Sequence, residues 1–313
     1  MKTLQSFNLF DYILLLRPLI LIPVWNFYLI GNHLADTKAW FSIKSFLGLF
    51  IYTMLMGGIY ILNQITDIET DRINKKLFIL SENYIPLRNA YIEMFVLWGF
   101  SISLALFFGL PFFLIVVFSL LLGVSYSLPP IKLKGRPFLD ALSNGFGYGI
   151  LNFLAGWVIL RNFEWDTITK LLPYFFSILA VFINTTIVDI EGDKKTGDNT
   201  TSVFIGAGAS YILSTFLLLC GAILASLNKD LICLIPSTIS LPLFFYVTLY
   251  YLKNKKINRR FTIVSFRLPG VIFTIITCLI YPGYIPFLIL TIGGMKIYYK
   301  KRFNINYPSL SQG

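Results

Sequence analysis

Two short acidic segments of the sequence each carry a pair of aspartates separated by four positions. The pairs are Asp67 with Asp71 and Asp189 with Asp193. On a helix this spacing puts both carboxylates on one face, where two like charges repel each other unless a cation lies between them. Mg²⁺ prefers carboxylate oxygens and commonly shares its shell between one or two carboxylates, water and substrate phosphates. Two such pairs facing each other across a bundle would form a Mg²⁺ site that holds a diphosphate.

The alternative interpretation is that both segments are solvated acidic loops at a membrane surface. Their joint arrangement favours the metal site. Both follow apolar spans that end on the same side of the predicted membrane, and four spans separate them, as an internal pseudo-repeat would require.

A third segment, from Tyr126 to Arg136, combines a proline pair with basic residues. The prolines are expected to end the preceding helix and stiffen the loop, while Lys132 and Lys134 could neutralise a leaving diphosphate. We interpret Arg136 as a charge that keeps this loop on the cytoplasmic side. Arg17 lies inside the first apolar span, where a charge is costly unless it meets an anion in the bundle interior. It is therefore a further candidate ligand of the diphosphate.

The composition excludes an ordinary soluble domain. Of the 313 residues, 56% are hydrophobic and only 13% are charged, whereas soluble domains are about 25% charged. Apolar runs recur along the whole chain, each close to the roughly 20 residues that cross a bilayer as a helix. The sequence thus predicts an all-α, polytopic transmembrane helical bundle of nine or ten spans, forming a single domain over residues 1–313.

Ten candidate spans can be drawn from hydropathy, of which the last is the least certain. They are Tyr12–Gly31, Ser45–Gln64, Ala90–Leu106, Pro111–Tyr126, Phe138–Leu160, Leu171–Val188, Val203–Leu227, Leu231–Leu252, Phe261–Ile280 and Tyr284–Tyr298. The spans group into two pseudo-repeated four-helix halves, about 12–128 and 138–252, followed by the C-terminal spans.

The distribution of basic residues predicts the orientation. With a cytoplasmic N-terminus, most of the 26 Lys and Arg fall on inner loops, as the positive-inside rule requires. The acidic segments and the proline-containing loop then all lie on the cytoplasmic face. The net charge of +11 matches anionic lipid headgroups and requires no nucleic acid. We expect a multi-pass protein of a prokaryotic cell membrane, with its active site facing the cytoplasm.

The fifth predicted span carries a stripe of polar residues on an otherwise apolar helix. Asp140, Asn144 and Asn152 recur there at intervals of four and eight positions. Such groups mark either hydrogen bonds between helices or a substrate cavity. Both alternatives remain open, and Asn144 is the better candidate for the cavity.

Together these motifs resemble those of the UbiA superfamily of intramembrane prenyltransferases. The first motif of that family, NDxxDxxxD, is matched by Asn63, Asp67 and Asp71, whereas Gln64 stands in place of its first aspartate. That replacement would remove one negative charge from the first metal site. Three further matches are the DxxxD motif at Asp189 and Asp193 with Gly197 behind it, the YSxPPxxLK-like loop from Tyr126 to Lys134, and the pair Arg17-Pro18.

The resemblance implies Mg²⁺-dependent transfer of a prenyl group from an isoprenoid diphosphate, through an allylic carbocation, to a lipophilic acceptor. We expect an aromatic precursor of a quinone, with a glycerol phosphate ether lipid or a carotenoid as alternatives. The implied metal ligands are Asn63, Asp67, Asp71, Asp189 and Asp193, the four aspartates being catalytic. The implied diphosphate ligands are Arg17, Arg72, Tyr126, Lys132 and Lys134, with Asn144 in the substrate cavity.

Two other functional classes remain as alternatives. Ten spans, pseudo-symmetry and embedded polar residues also describe transporters, but the acidic pairs lie at the ends of helices and not at the membrane midplane. Transfer of phospholipid headgroups also uses aspartates and Mg²⁺, although the glycine and arginine spacing which that chemistry needs is missing. The sequence does not define the prenyl chain length or the oligomeric state.

Overall fold

A computed structural model of the chain describes residues 8–38, 42–74, 78–305 and 307. Every regular element within those ranges is helical. The first half contains α1 (Leu9–Leu15), α2 (Pro18–Ala35), α3 (Ile43–Thr66), α4 (Ile68–Asn74), α5 (Phe78–Ser81), α6 (Leu87–Ala105) and α7 (Leu110–Ser127). The second half contains α8 (Leu139–Asn144), α9 (Asn152–Trp157), α10 (Trp165–Thr196), α11 (Thr201–Leu227), α12 (Leu231–Asn254), α13 (Arg259–Ile280) and α14 (Tyr284–Phe303).

The helical membrane bundle predicted from the sequence is confirmed, whereas the count of nine or ten spans is only approximate. Within the described residues, seven helices are long and apolar enough to cross a membrane, and the bent pair formed by α1 and α2 raises this number to eight. The fifth predicted span is divided into shorter elements, and α14 does not reach the same apolarity.

The first predicted span is not one straight helix. The chain turns by 51° between α1 and α2, and Arg17 at the break has a left-handed backbone, with φ 55° and ψ 61°. The sequence encodes this break locally, because the ring of Pro18 disfavours the right-handed helical region for the residue before it. Pro18 in turn suits the first position of α2, where its missing N–H has no helical partner.

The fifth predicted span contains a π-helix, Gly145–Leu151, between α8 and α9. Its glycines allow a close approach to α10: a Cβ at Gly149 would lie 2.8 Å from the Cα of Phe175. Wide helical turns of this kind are rare and often occur at functional sites. Hydropathy cannot detect them, because a π-helix and an α-helix of the same composition are equally apolar.

The helices pack through small residues and buried polar bonds, as is common in membranes. Gly156 of α9 lies against α2, where an added Cβ would be 2.8 Å from the carbonyl carbon of Tyr28. Asn32 of α2 donates from Nδ2 to the carbonyl oxygen of Gly156 at 3.1 Å. This contact fixes α2, and with it the break at Arg17, against the second half of the chain.

Candidate active site

The two aspartate pairs line a single cleft with a volume of about 720 Å³. Asp67 lies directly after α3 and Asp71 lies on α4, while Asp189 and Asp193 both lie on α10. The sequence predicts that the pairs share a site, and the structure brings all four carboxylates into the lining of one cleft.

The helical context of these motifs differs from the loops that hydropathy suggests. Asn63 belongs to the last turn of α3, and α10 runs on to Thr196, well past the predicted end at Val188. Those eight extra residues add about 12 Å of helix. The helix ends where Gly197 adopts a positive φ of 79°, a conformation that glycine reaches without steric cost. The second pair is thus presented by a regular helix instead of a surface loop.

The carboxylate of Asp67 is in contact with a lysine of the proline-containing loop. Lys134 forms a short ion pair with Asp67, and its Nζ also lies 3.3 Å from the hydroxyl of Thr66. In the second pair, Asp193 accepts a hydrogen bond of 3.0 Å from the hydroxyl of Thr200. A protein cation already sits at Asp67, where a metal ion was predicted.

The other predicted basic residues are distributed differently. Lys132 pairs at 2.7 Å with Asp198, an acidic residue of the cleft lining to which the sequence analysis gave no role. Arg72 pairs at 2.9 Å with Glu69 and is substantially exposed. Arg72 does not line the cleft, and neither does Lys132. Lys134 does line it.

The donor set suits a hard cation that is shared with a substrate. Within the ranges that the structure describes, no three carboxylate, imidazole or thiol side chains converge on one point. No group of three such side chains could therefore hold a metal ion by itself in those ranges. Mg²⁺ needs only one or two carboxylates when substrate phosphates complete its shell, and the two separate pairs of oxygen donors meet that requirement.

A second, smaller cavity of about 200 Å³ adjoins the cleft inside the bundle, and Asn63 and Tyr126 line both spaces. We call it the inner cavity. Its other polar lining residues include Arg17, Tyr52, Tyr60, Asn144, Tyr148 and Asn152. The predicted diphosphate ligand Arg17 thus lines the inner cavity, and also a third small cavity beside Gln64 and Tyr299, but not the cleft. The predicted cavity residue Asn144 also lines the inner cavity.

Several polar groups of the inner cavity bond to one another, but two are left over. The hydroxyls of Tyr60 and Tyr148 are 2.6 Å apart, and the hydroxyl of Tyr52 donates to Oδ1 of Asn152 at 3.0 Å. The buried Nδ2 of Asn152 has no hydrogen-bond partner among the residues that the structure describes. The Arg17 guanidinium makes no hydrogen bond or ion pair with the part of the chain that the structure describes. Both remaining groups are donors, so the cavity suits an oxygen-bearing ligand.

The polar stripe of the fifth predicted span serves both of the purposes that the sequence left open. Asp140 accepts from the backbone N–H of Thr201 at 2.9 Å, which ties α8 to the start of α11. Asn144 and Asn152 line the inner cavity instead. Tyr148 was missed, although it continues the interval of four positions and could have been found by including aromatic hydroxyls in the stripe.

The structure places two further residues differently from the sequence analysis. Arg259, at the start of α13, lines the cleft, whereas the sequence analysis counted it only among the basic residues of an inner loop. Gln64 lies outside the cleft lining. It is 3% exposed, and its Nε2 donates to the backbone oxygen of Leu15 at 2.7 Å. The contacts of Gln64 are therefore with α1 and α3 and not with the cleft.

The model of the UbiA prenyltransferase family matches residues 24–268. Because this match covers most of the chain, the protein belongs to that family, and the resemblance inferred from the motifs is confirmed. Its many apolar helices and its family identify it as an integral membrane protein.

Relatives with different acceptors are similar to this chain. The digeranylgeranylglyceryl phosphate synthase of Sulfolobus acidocaldarius is 32% identical over 182 residues, which are 57% of this chain and 63% of that protein. The homogentisate phytyltransferase of Synechocystis sp. is 28% identical over 72% of this chain and 76% of its own. Three curated relatives are matched over only 63%, 50% and 51% of their own lengths.

The fold is that of a solved UbiA homolog from Archaeoglobus fulgidus. The structure of that protein bound to GPP and Mg²⁺ superposes with a TM-score of 0.69 at 22% sequence identity, and the match covers 86% of this chain and 99% of the homolog.

Proposed function

We propose that this protein transfers a prenyl group from an isoprenoid diphosphate to a lipophilic acceptor in the membrane, with Mg²⁺ as cofactor. Its main support is the single cleft that is lined both by Asp67 and Asp71, at α3–α4, and by the two aspartates of α10. Prenyl transfer in the named relatives and the GPP and Mg²⁺ bound by the solved homolog agree with this activity.

The residues of the cleft suit the binding and departure of a diphosphate. Asp67, Asp71, Asp189 and Asp193 would hold Mg²⁺, which when bound would stabilise the negative charge that grows on the leaving group. The ammonium of Lys134, which pairs with Asp67, would then be close enough to donate to the phosphates. Cations that are already in position stabilise developing negative charge without reorganising, so they accelerate cleavage of the allylic carbon–oxygen bond.

The inner cavity suits the acceptor, because it shares Asn63 and Tyr126 with the lining of the cleft. Its volume of about 200 Å³ is below the roughly 300–1,000 Å³ of pockets for drug-sized ligands. A small head group fits this space, and the donors of Arg17 and Asn152 favour one that carries oxygen atoms. This favours a phenolic or acidic aromatic acceptor, of the kind used as a quinone precursor, over a carotenoid hydrocarbon.

A glycerol phosphate ether lipid is the second candidate acceptor. A phosphate would provide the anion that the Arg17 guanidinium lacks among its described neighbours. A guanidinium group can form two parallel hydrogen bonds with a phosphate, as it can with a carboxylate. The two candidates therefore differ in the shape of the head group and in its charge, which is larger for a phosphate than for a carboxylate or a phenol.

We further propose that the cleft opens to the cytoplasm. The aspartate motifs and the proline-containing loop follow α3, α7 and α10, and the positive-inside rule places the basic loops at these helix ends in the cytoplasm. Soluble isoprenoid diphosphates and Mg²⁺ are available on that side of a prokaryotic cell membrane.

The test is to incubate membranes that contain the protein with labelled geranylgeranyl or longer diphosphates and a panel of acceptors. The panel includes hydroxybenzoate-type phenols, naphthoates, chlorins, geranylgeranylglyceryl phosphate and lycopene, with and without a chelator, and products are identified by mass spectrometry. We expect one prenylated product that disappears on chelation. Product formation undiminished by exhaustive chelation would refute the role of the metal, and failure of every donor and acceptor pair would refute the activity.

A further inference from the structure

Gln64 stands within the first acidic motif, yet its side chain points away from the carboxylates. It is almost fully buried, at 3% exposure, and both of its amide hydrogens have acceptors. Nε2 donates to the backbone oxygen of Leu15 at 2.7 Å and to that of Tyr60 at 3.1 Å. The bond to Tyr60 stays within α3, whereas the bond to Leu15 joins α3 to α1.

Leu15 is the last residue of α1, so its carbonyl is one of those that have no partner within the helix. Two residues later Arg17 adopts its left-handed conformation, and the chain turns into α2. A residue with a side chain keeps such a conformation only where its surroundings enforce it, and conformations of this kind concentrate at functional sites. The bond from Gln64 acts directly before this turn.

Other side chains hold α1 at its opposite end. Asp11 accepts bonds from Tyr298 at 2.9 Å and from Arg302 at 3.1 Å, both on α14. Tyr12 accepts a bond of 2.7 Å from the amide of Asn89 on α6. These bonds anchor the third and fourth residues of α1, whereas the bond from Gln64 fixes its end next to Arg17.

We propose that Gln64 is a positioning residue: by holding the carbonyl of Leu15 it places the guanidinium of Arg17 in the inner cavity. The amide of Gln64 has two hydrogens to donate to carbonyl oxygens, whereas an ionised carboxylate, such as the aspartate of the family motif that Gln64 replaces, has none. The kinetic consequence rests on the proposed function, because Arg17 must meet a substrate anion there.

The placement of Arg17 can be measured without turnover. Phenylglyoxal modifies accessible guanidinium groups, and mass spectrometry of the digested protein reports the rate at Arg17. The variant is Gln64→Met, which keeps the volume but removes both donors. The matched control is Asn89→Leu, which removes an amide donor from the far end of α1. We expect the Gln64 variant alone to change the rate at Arg17 by about threefold or more, as expected for loss of one net hydrogen bond. Equal rates in the wild type and both variants would overturn the proposal, whether or not the protein transfers prenyl groups.

Kinetics provide the second test, once prenyl transfer by the wild type is established. Arg17→Gln is expected to raise the KM of the substrate whose anion it binds, and Gln64→Met to raise the same KM by about three- to tenfold. The double variant should be no worse than Arg17→Gln alone, because both changes remove one interaction. If the two increases in KM multiplied in the double variant, Gln64 would not act through Arg17. The same conclusion would follow if Gln64→Met lowered thermal stability without changing KM, the result expected for Asn89→Leu. Absence of turnover in the wild type would refute the proposed function and leave the modification test of Gln64 decisive.

Discussion

Replacing Lys134 by methionine should affect metal binding and turnover in opposite directions. The ammonium of Lys134 occupies the Asp67 carboxylate, and both side chains are largely shielded from water, with 12% and 26% exposure. A hydrogen bond to a charged group contributes about 1.5–3 kcal/mol. Because Mg²⁺ must displace the ammonium to reach this carboxylate, Lys134→Met should tighten Mg²⁺ binding in the absence of substrate by about ten- to a hundredfold.

Turnover of the same variant should fall, because the cation that would stabilise the leaving diphosphate is gone. Loss of one prepositioned donor typically lowers kcat by about 10²–10³-fold. Calorimetric titration of the purified protein with Mg²⁺ measures the first effect, and product formation at saturating Mg²⁺ measures the second. Weaker Mg²⁺ binding in the variant would show that Lys134 does not compete with the metal at Asp67. Unchanged turnover would show that its ammonium does not reach the diphosphate.

Three further predictions concern the cleft, the packing and the orientation. Asparagine in place of any of the four cleft aspartates should abolish turnover while the protein still inserts into membranes, which activity assays and membrane fractionation would check; near wild-type rates in two or more variants would place the site elsewhere. Gly156→Ala should lower the midpoint of thermal unfolding in detergent by about 5 °C or more, because its Cβ would lie 2.8 Å from the carbonyl carbon of Tyr28. The control Gly99→Ala, with open space around the added Cβ, should leave the midpoint unchanged. In a background without native cysteines, a cysteine at Gly135 should react with an impermeant thiol reagent only when the cytoplasmic face is exposed, and one at Asp36 should show the opposite pattern.

The sequence predicted the parts of the site that depend on local spacing. Asp67 with Asp71 and Asp189 with Asp193 were recognisable because a four-residue interval has a direct meaning on a helix. The membrane bundle was recognisable because apolar length has a direct meaning in a bilayer. Neither inference requires information about which helices are neighbours in the fold.

The remaining features depend on contacts between distant segments or on backbone geometry. The partner of Lys132 is Asp198, 66 positions away, and the partner of Gln64 is Leu15, 49 positions away. No periodicity within one sequence identifies such pairs. The π-helix at Gly145–Leu151 also escaped detection, since hydropathy reports composition and not the number of residues per turn.

The most direct test of the account is the binding of a non-reactive thiolodiphosphate analogue of geranylgeranyl diphosphate to the protein in lipid nanodiscs. Because two pairs of carboxylates repel a diphosphate unless a divalent cation lies between them, affinity should be high with Mg²⁺ and at least about a hundredfold lower after chelation. Asp67→Asn and Asp189→Asn, which change different segments of the cleft lining, should each weaken the Mg²⁺-dependent binding. Tight binding that is indifferent to chelation and to both substitutions would contradict the central claim that the cleft holds the diphosphate through a metal ion.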